Sequence, residues 1–302
     1  MINPSIPEGQ TAVEAASAEL LSRGDDTIAG RRGRRINLPL TAGLLLFGLV
    51  AAACIAAPLI THYDPIGQDL LNAAAPPFSS GHILGTDAPY GRDILTRLLY
   101  GGRADLAIGI GGTGVTIIVG TILGLVAGYF GGWIDSLLMR VADVFFAFPF
   151  LVLVLAIVAM LGPSLLNLFI AIWAVGWVSY ARIIRGETLA VKGRDYISAE
   201  HAIGAGNLRI MARHILPNIF AAALIFAMAD AVGNILLAAA LGYLGLGIPE
   251  PAPEWGAMIS DGQNYMVTAW WVPALPGFAI VIVGIALSLV GDGLADLLRP
   301  KE

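Results

Sequence analysis

The chain is poor in the residue types that build catalytic and metal sites. Only 13% of its 302 residues are charged, and it has one cysteine, Cys54, and two lysines, Lys192 and Lys301. A single cysteine excludes an internal disulfide and cannot form a metal site by itself. Neither lysine lies in the pattern Gly-x-x-x-x-Gly-Lys-Ser/Thr, so a phosphate-binding loop of that kind is excluded. No continuous basic face suggests nucleic-acid binding, and the net charge is −5.

Apolar residues dominate what is present. They make up 57% of the chain, and the mean hydropathy is +0.78, which places the chain in the membrane class. Because a spanning helix needs about 20 apolar residues, six stretches predict an all-α membrane protein with six transmembrane helices. They are residues 38–60, 106–130, 144–161, 164–181, about 217–246 and about 272–290. Only Gly162 and Pro163 separate the third and fourth, which predicts a tight helical hairpin.

The basic residues predict the orientation, since segments on the cytoplasmic side retain them. With the amino terminus inside, 14 of the 17 basic residues lie in inner segments, and only Arg92, Arg97 and Arg103 lie outside. Both termini are therefore predicted to be cytoplasmic. The predicted organisation is a disordered cytoplasmic tail at 1–37, a first span at 38–60, an extracytoplasmic segment at 61–105 and a membrane core at 106–298 with a cytoplasmic loop at 182–217.

Small residues recur every fourth position in the second span. The row predicts one helical face that lets another helix approach closely, and it comprises Gly112, Thr116, Gly120, Gly124 and Gly128.

Polar and aromatic side chains near the span ends carry two further predictions. Arg140 and Asp143 are three residues apart, so an ion pair on one helical face is expected. Trp255, Trp270 and Trp271 are expected to anchor the outer membrane interface.

The loop at 182–217 has the most elaborate polar pattern in the chain. Its first half predicts a helix that begins near Asp195 and places Tyr196, Ala199 and Ile203 on one face. Gly204 and Gly206 then interrupt it.

The second half predicts another short helix, capped by Asn207, after which Pro217 ends the loop and can serve as the first helical residue of the fifth span. Its apolar face would comprise Leu208, Met211 and Ile215, with Arg209 and Arg213 on the polar side. A helix, a glycine bend and a helix anchored at both ends would pass a force to the membrane helices. An interfacial helix resting on lipid headgroups is the alternative.

The stretch "AEHAIGAGNLRIMARHILPN" resembles the coupling loop of binding-protein-dependent ABC importer permeases. That pattern is Glu-Ala-Ala, three residues, Gly, nine residues, Ile, one residue and Leu-Pro. Gly204, Leu216 and Pro217 fall on this spacing. Ser198, Glu200 and His214 depart from it, whereas Ala199 agrees.

Four more segments resemble the dipeptide, oligopeptide and nickel branch of these permeases, in its C-type subunit. They are "HILGTDAPYGRDILTRLLYGGR", "AGYFGGWIDSLLMRVADVFFAFPF", "GYLGLGIPEPAPEWGAMI" and "LVGDGLADLLRP". The resemblance implies the type I importer fold, a bacterial cytoplasmic (inner) membrane location and transport of di- or oligopeptides. It implies four kinds of partner: a homologous second permease, one or two ABC ATPases that bind ATP and Mg²⁺, an extracytoplasmic solute-binding protein, and lipid. This chain would itself have no cofactor and no catalytic residue.

Two other classes of function are alternatives. A stand-alone ion-coupled transporter would need ionisable groups near the midplane, and Asp230, with Asn234 one turn later, is the feature that favours it. A membrane enzyme would need a nucleophile and base or clustered metal ligands, but the four histidines are spread over both sides of the membrane. Within the importer interpretation, Asp230 and Asn234 are expected to face the translocation pathway and to contact a polar or amine-bearing substrate.

Overall fold

The computed structural model describes residues 37–79 and 81–298, so the predicted tail at 1–37 lies outside the described residues except for Asn37. These residues form helices and two isolated β-bridges, and the described part contains no strand. The helices are α1 (Leu38–Ile55), α2 (Ala57–Ile60), α3 (Ile94–Phe130), α4 (Gly132–Phe146), α5 (Phe150–Leu161), α6 (Leu165–Lys192), α7 (Asp195–Ala202), α8 (Asn207–Arg209), α9 (Leu216–Tyr243), α10 (Trp255–Gly262) and α11 (Trp271–Leu298). A π-helical turn, Ile210–Ile215, joins α8 to α9, and single 3₁₀ turns lie at Leu70–Asn72 and Gln263–Tyr265.

Five of these helical runs are long and apolar enough to cross a membrane. They are α1, α3, α6, the run Asn207–Tyr243 and α11. The predicted third span is not one straight helix, because α4 and α5 meet at an angle of 82°. The break falls at Ala147–Phe148–Pro149, where proline prevents helix continuation. The all-α architecture is confirmed, and the sixth span exists only if this bent pair counts as one.

Several helices extend beyond the apolar runs because their charged residues are satisfied within the protein. α3 begins at Ile94 rather than near residue 106, and its N-cap Asp93 accepts a hydrogen bond from the Thr96 N–H at 2.8 Å. In its third turn, Arg103 Nε donates to the Cys54 carbonyl at 2.7 Å. A search for apolar runs that stops at charged residues therefore misses these first turns of the helix.

α6 likewise continues to Lys192, beyond the predicted end at residue 181. Arg185 forms a two-pronged ion pair with Asp135 of α4, in which Nη2 lies 2.6 Å from Oδ2. Arg182 pairs with Asp143 of α4. The expected Arg140–Asp143 pair is therefore wrong, because the partner of Asp143 comes from a neighbouring helix rather than from its own.

The glycine row of α3 packs against α6, as the four-residue spacing predicted. A Cβ atom on Gly124 would lie 2.5 Å from the Ala181 carbonyl oxygen, and one on Gly128 would lie 2.8 Å from Thr188 Cβ. Real side chains cannot occupy those positions, so the two backbones approach more closely than larger residues allow. The row therefore forms a helix interface within the chain.

A buried ionic cluster, formed by Asp87, Arg92, Arg97 and Asp261, lies at the start of α3, with the exposed Glu250 beside it. Arg92 donates to Asp87 Oδ2 at 2.5 Å and to Asp261 Oδ2 at 2.9 Å. Both arginines are at most 2% exposed. The cluster joins the segment before α3 to α10, which is more than 150 residues away in sequence.

Two tryptophans expected at the membrane interface are instead structural. Trp255 is 1% exposed, and its indole N–H donates to the Leu98 carbonyl at 2.9 Å. Trp271 is also buried, whereas Trp270 is exposed. The interface prediction is thus wrong for Trp255 and Trp271. Trp255 is the first residue of α10, and most of that helix is buried within the protein.

Candidate functional site

The coupling segment, residues 195–215, consists of α7, a glycine break, α8 and the π-helical turn. α7 begins at Asp195, in agreement with the prediction. The break comes at Gly204, whose φ of +84° lies in the left-handed region that favours glycine. A bend at this place is therefore built into the sequence.

The face that α7 buries lies away from the predicted stripe of Tyr196, Ala199 and Ile203. Ile197 is 1% exposed and packs into a core cluster with Val191 and Met211. Tyr196 is exposed, and Ile203 is 79% exposed. The stripe through Tyr196, Ala199 and Ile203 is thus the outward face, because Ile197 is the residue that points to the bundle.

The second half of the segment is continuous with α9. Ile210, Met211 and Ile215 are buried, but Leu208 is 78% exposed. Pro217 lies in the first turn of α9, and the helical run spans Asn207–Tyr243 without interruption. Pro217 thus lies at the start of the fifth span, as expected, but no break separates the loop from that span, because the π-helical turn before Pro217 continues into α9.

Tyr129, at the end of α3, braces the coupling segment. Its hydroxyl donates to Asn207 Oδ1 at 2.9 Å, so Asn207 is not the expected side-chain cap. Lys192 Nζ donates to the Tyr129 carbonyl at 2.6 Å, and the His201 ring stacks on the tyrosine ring with centroids 6.3 Å apart. The ends of α3 and α6 and the coupling segment therefore meet at one side chain.

The remaining predicted coupling residues lie on or near the surface. His214 and Glu200 are half-buried and face each other, with Nε2 3.6 Å from Oε1. The exposed members of the set are Ser198, Ala199, Gly204, Arg209, Arg213 and Pro217, and Leu216 is half-buried.

Asp230 and Asn234, the other predicted pair, lie together in a polar knot between three helices. Asp230 Oδ2 accepts hydrogen bonds from Thr113 of α3 at 3.0 Å, Tyr180 of α6 at 3.1 Å and Asn234 Nδ2 at 3.2 Å. Asn234 Nδ2 also donates to Thr113 Oγ1 at 3.0 Å. Because Thr113, Tyr180 and Asn234 are nearly or fully buried, the knot fixes the carboxylate in one orientation.

A groove of about 430 Å³ opens beside this knot. Its walls come from α5, α6 and α9, and Asp230 and Asn234 contribute polar atoms to an otherwise largely apolar lining. Phe150 and Ser179 also border a second groove, of about 310 Å³, at the α4–α5 elbow. The structure thus brings the two predicted pathway residues to a concave surface.

The family described as "Binding-protein-dependent transport system inner membrane component" matches residues 120–302, which include the coupling segment and every residue of the knot except Thr113. The chain belongs to this family. It is a permease component of an ABC importer and a multi-pass protein of the cytoplasmic membrane, and the ion-coupled alternative is not supported.

Relatives cover most of the permease. The di/tripeptide transport system permease DppC of Pseudomonas aeruginosa is 41% identical over 86% of this chain and 87% of its own length. The glutathione permease GsiD of Pectobacterium atrosepticum is 40% identical over 90% of this chain and 89% of its own length. The oligopeptide permease OppC of Haemophilus influenzae is 35% identical over 88% of this chain and 86% of its own length.

The solved structures confirm the fold. A chain of the inward-facing MetNI methionine ABC transporter aligns with a TM-score of 0.56 at 17% identity, covering 68% of the permease and 97% of that chain. The permease therefore has the type I importer fold.

Three side chains of these sites were missed by sequence reasoning. Tyr129 lies in "AGYFGG" at a span end, and Thr113 and Tyr180 lie within spans two and four. A hydroxyl in an apolar span is a signal for a buried hydrogen bond, and both could have been noted on that ground. That both hydroxyls bind Asp230 could not be predicted, because this pairing depends on how three helices pack that are distant in sequence.

Proposed function

We propose that this permease is one of two membrane subunits of an importer for di- or oligopeptides, driven by ATP hydrolysis in partner subunits. Support for the substrate comes from the relatives, whose names specify di/tripeptides, oligopeptides and glutathione. ATP and Mg²⁺ would be bound by one or two ABC ATPases, and a solute-binding protein would deliver the substrate.

The outward face of the coupling segment carries the proposal that an ATPase docks there. Ile203 and Leu208 are more than three-quarters exposed on either side of the Gly204 bend. Exposed apolar side chains on a segment tied to the bundle by Tyr129 and by α9 are suited to a protein partner. This contrast between exposed side chains and a braced backbone is the single observation on which the docking role rests.

A movement of the coupling segment would reach the membrane through two connections. One is the continuous run Asn207–Tyr243, which contains both the second half of the segment and Asp230. The other is Tyr129, which begins the path back along α3 to Thr113. Nucleotide binding would close the ATPases, move the segment and bias the bundle between inward and outward openings, because each state is favoured by different contacts.

The docking role places the coupling segment and both termini in the cytoplasm, in agreement with the distribution of basic residues. The solute-binding protein would then meet the opposite end of the bundle. Pro89, Pro249 and Glu250 are exposed there, while most of "GTDAPYGRD" is buried in the ionic cluster and its surroundings. Only the tips of these loops are therefore available to a partner.

The test is co-purification of the ATPase with an Ile203→Asp, Leu208→Asp double variant of the full complex. Charges at the centre of an apolar contact should reduce bound ATPase at least tenfold, while membrane insertion is unchanged.

The control is Val267→Asp, which alters a side chain that is 97% exposed in another loop and should retain the ATPase. Unchanged ATPase binding by the double variant would contradict docking and favour an interfacial helix resting on lipid.

A further inference from the structure

The polar knot described above ends on an acidic group that has no cationic partner among the residues that the structure describes. Every hydrogen bond around Asp230 runs toward Oδ2: Asn234 donates to Thr113 and Asp230, Thr113 donates to Asp230, and Tyr180 donates to Asp230. A network that ends in an acceptor stabilises the ionised carboxylate, because hydrogen bonds to the charged form favour that form.

No lysine, arginine or histidine within the described ranges forms an ion pair with Asp230. The hydrogen bonds from Thr113, Tyr180 and Asn234 all reach Oδ2, and none of the three occupies the second carboxylate oxygen, Oδ1. An uncompensated carboxylate at membrane depth is unfavourable unless it meets a cavity or a partner. The groove supplies the cavity, and a cationic group that enters it from outside the chain can supply the partner.

The surroundings of Asp230 indicate what chemistry that partner has. The groove wall beside the carboxylate is apolar and partly aromatic, with Phe226 on α9 and Phe150 and Leu151 on α5. An ammonium group satisfies a carboxylate through charge-assisted hydrogen bonds, and aromatic faces attract cations as well. Apolar walls favour a carbon skeleton attached to that ammonium.

We propose that Asp230 is the anionic end of a substrate subsite that binds the ammonium group of the transported molecule, while the groove formed by α5, α6 and α9 holds its apolar side chain. Tyr180, Thr113 and Asn234 act as positioning residues, since they fix Oδ2 and leave Oδ1 for the ligand. The assignment of the ligand as transported substrate rests on the proposed function. The binding chemistry rests on the knot and the groove.

The experiment measures protection of a cysteine placed in the groove. Ser179 lines both grooves and is partly exposed, so Ser179→Cys is made in a Cys54→Ala background and labelled with a maleimide in washed membranes that contain the assembled complex. The ligands are alanyl-phenylalanine and its N-acetyl derivative, which differ in the ammonium group. The free-amine peptide is expected to slow labelling about tenfold and the N-acetyl peptide to have little effect.

Two variants complete the test. Asp230→Asn should abolish protection, whereas Asp296→Asn, an exposed aspartate on α11, should retain it. Equal protection by both peptides, or protection that survives Asp230→Asn, would overturn the proposal. The proposal would also be overturned if the introduced cysteine were unreactive in the complex but reactive when the second permease is absent. The second permease would then cover the groove. Labelling needs no ATP, so a failure of ATP-driven uptake would count only against the proposed function.

Discussion

The two ends of α3 are built in opposite ways. The helix has 37 residues and is about 55 Å long at 1.5 Å per residue. At its beginning, Arg92 and Arg97 are buried among carboxylates and join segments that are distant in sequence. At its other end, Tyr129 holds the coupling segment through one side-chain hydrogen bond and a stacked ring, and Ile203 and Leu208 are exposed.

This difference indicates which end is suited to move. A buried cluster of several charges resists separation, because removing one partner leaves the others desolvated and uncompensated. A segment held by one neutral side-chain hydrogen bond and by apolar packing, without buried ion pairs, can shift at a smaller free-energy cost. We infer that the coupling segment is the adjustable end and the ionic cluster the fixed end.

The largest expected effect is the loss of Arg92. Arg92→Ala leaves Asp87 and Asp261 without their closest cation and should lower the free energy of unfolding by about 3–5 kcal/mol, measured as a lower thermal midpoint in detergent. The matched variant is Arg209→Ala at the exposed coupling end, which should change the midpoint little. A similar decrease of the thermal midpoint in both variants would contradict the inferred difference between the two ends of α3.

A smaller effect is expected at Tyr129. Tyr129→Phe removes the hydroxyl that donates to Asn207 and should cost about 0.5–1.5 kcal/mol locally. Hydrogen exchange should accelerate across residues 195–209, while the residues around the ionic cluster remain protected. Tyr243→Phe, which loses a hydrogen bond of 2.7 Å to Gln263, is the control and should leave exchange in the coupling segment unchanged.

The smallest expected effect concerns Glu250, which lies beside the ionic cluster at the fixed end. The negative charge of Asp261, with some contribution from burial, raises the pKa of Glu250 above its usual range. A carboxyl with a raised pKa in the folded state favours folding at low pH, and this contribution is lost as the pH rises through the folded pKa. Glu250→Gln should therefore raise the thermal midpoint slightly at pH 8 and not at pH 4. A gain of equal size at both pH values would show that repulsion from Asp261 is not the cause.

The sequence was sufficient for the helices but not for the partners of their polar residues. Long apolar runs, the Gly162–Pro163 hairpin and the four-residue glycine spacing are local patterns, and each predicted the observed element. The start of α3 at Ile94, the burial of Trp255 and the partner of Asp143 depend on which helix lies alongside. Hydrophobicity windows stop at charged residues and cannot show that those charges are satisfied by distant carbonyls and carboxylates.

In the coupling segment, too, local features could be predicted and packing could not. The bend at Gly204 follows from the preference for glycine there, so it could be predicted. The helix start near Asp195 was also predicted, but Asp195 is the first helical residue and no side chain caps the helix at Arg194. The side of α7 that the bundle covers could not be predicted, because a short helix with apolar residues on two sides does not reveal it. Ile197 is the buried residue because it packs against Met211 and Val191.

The central claim, that an ATPase clasps the coupling segment, is tested most directly by photo-crosslinking. A benzoylphenylalanine placed at position 203 of the permease in the assembled complex should give a covalent adduct with the ATPase subunit on irradiation, and the same probe at position 267 should give none. Adducts at position 203 that contain only lipid, in a complex that retains the ATPase, would contradict the account.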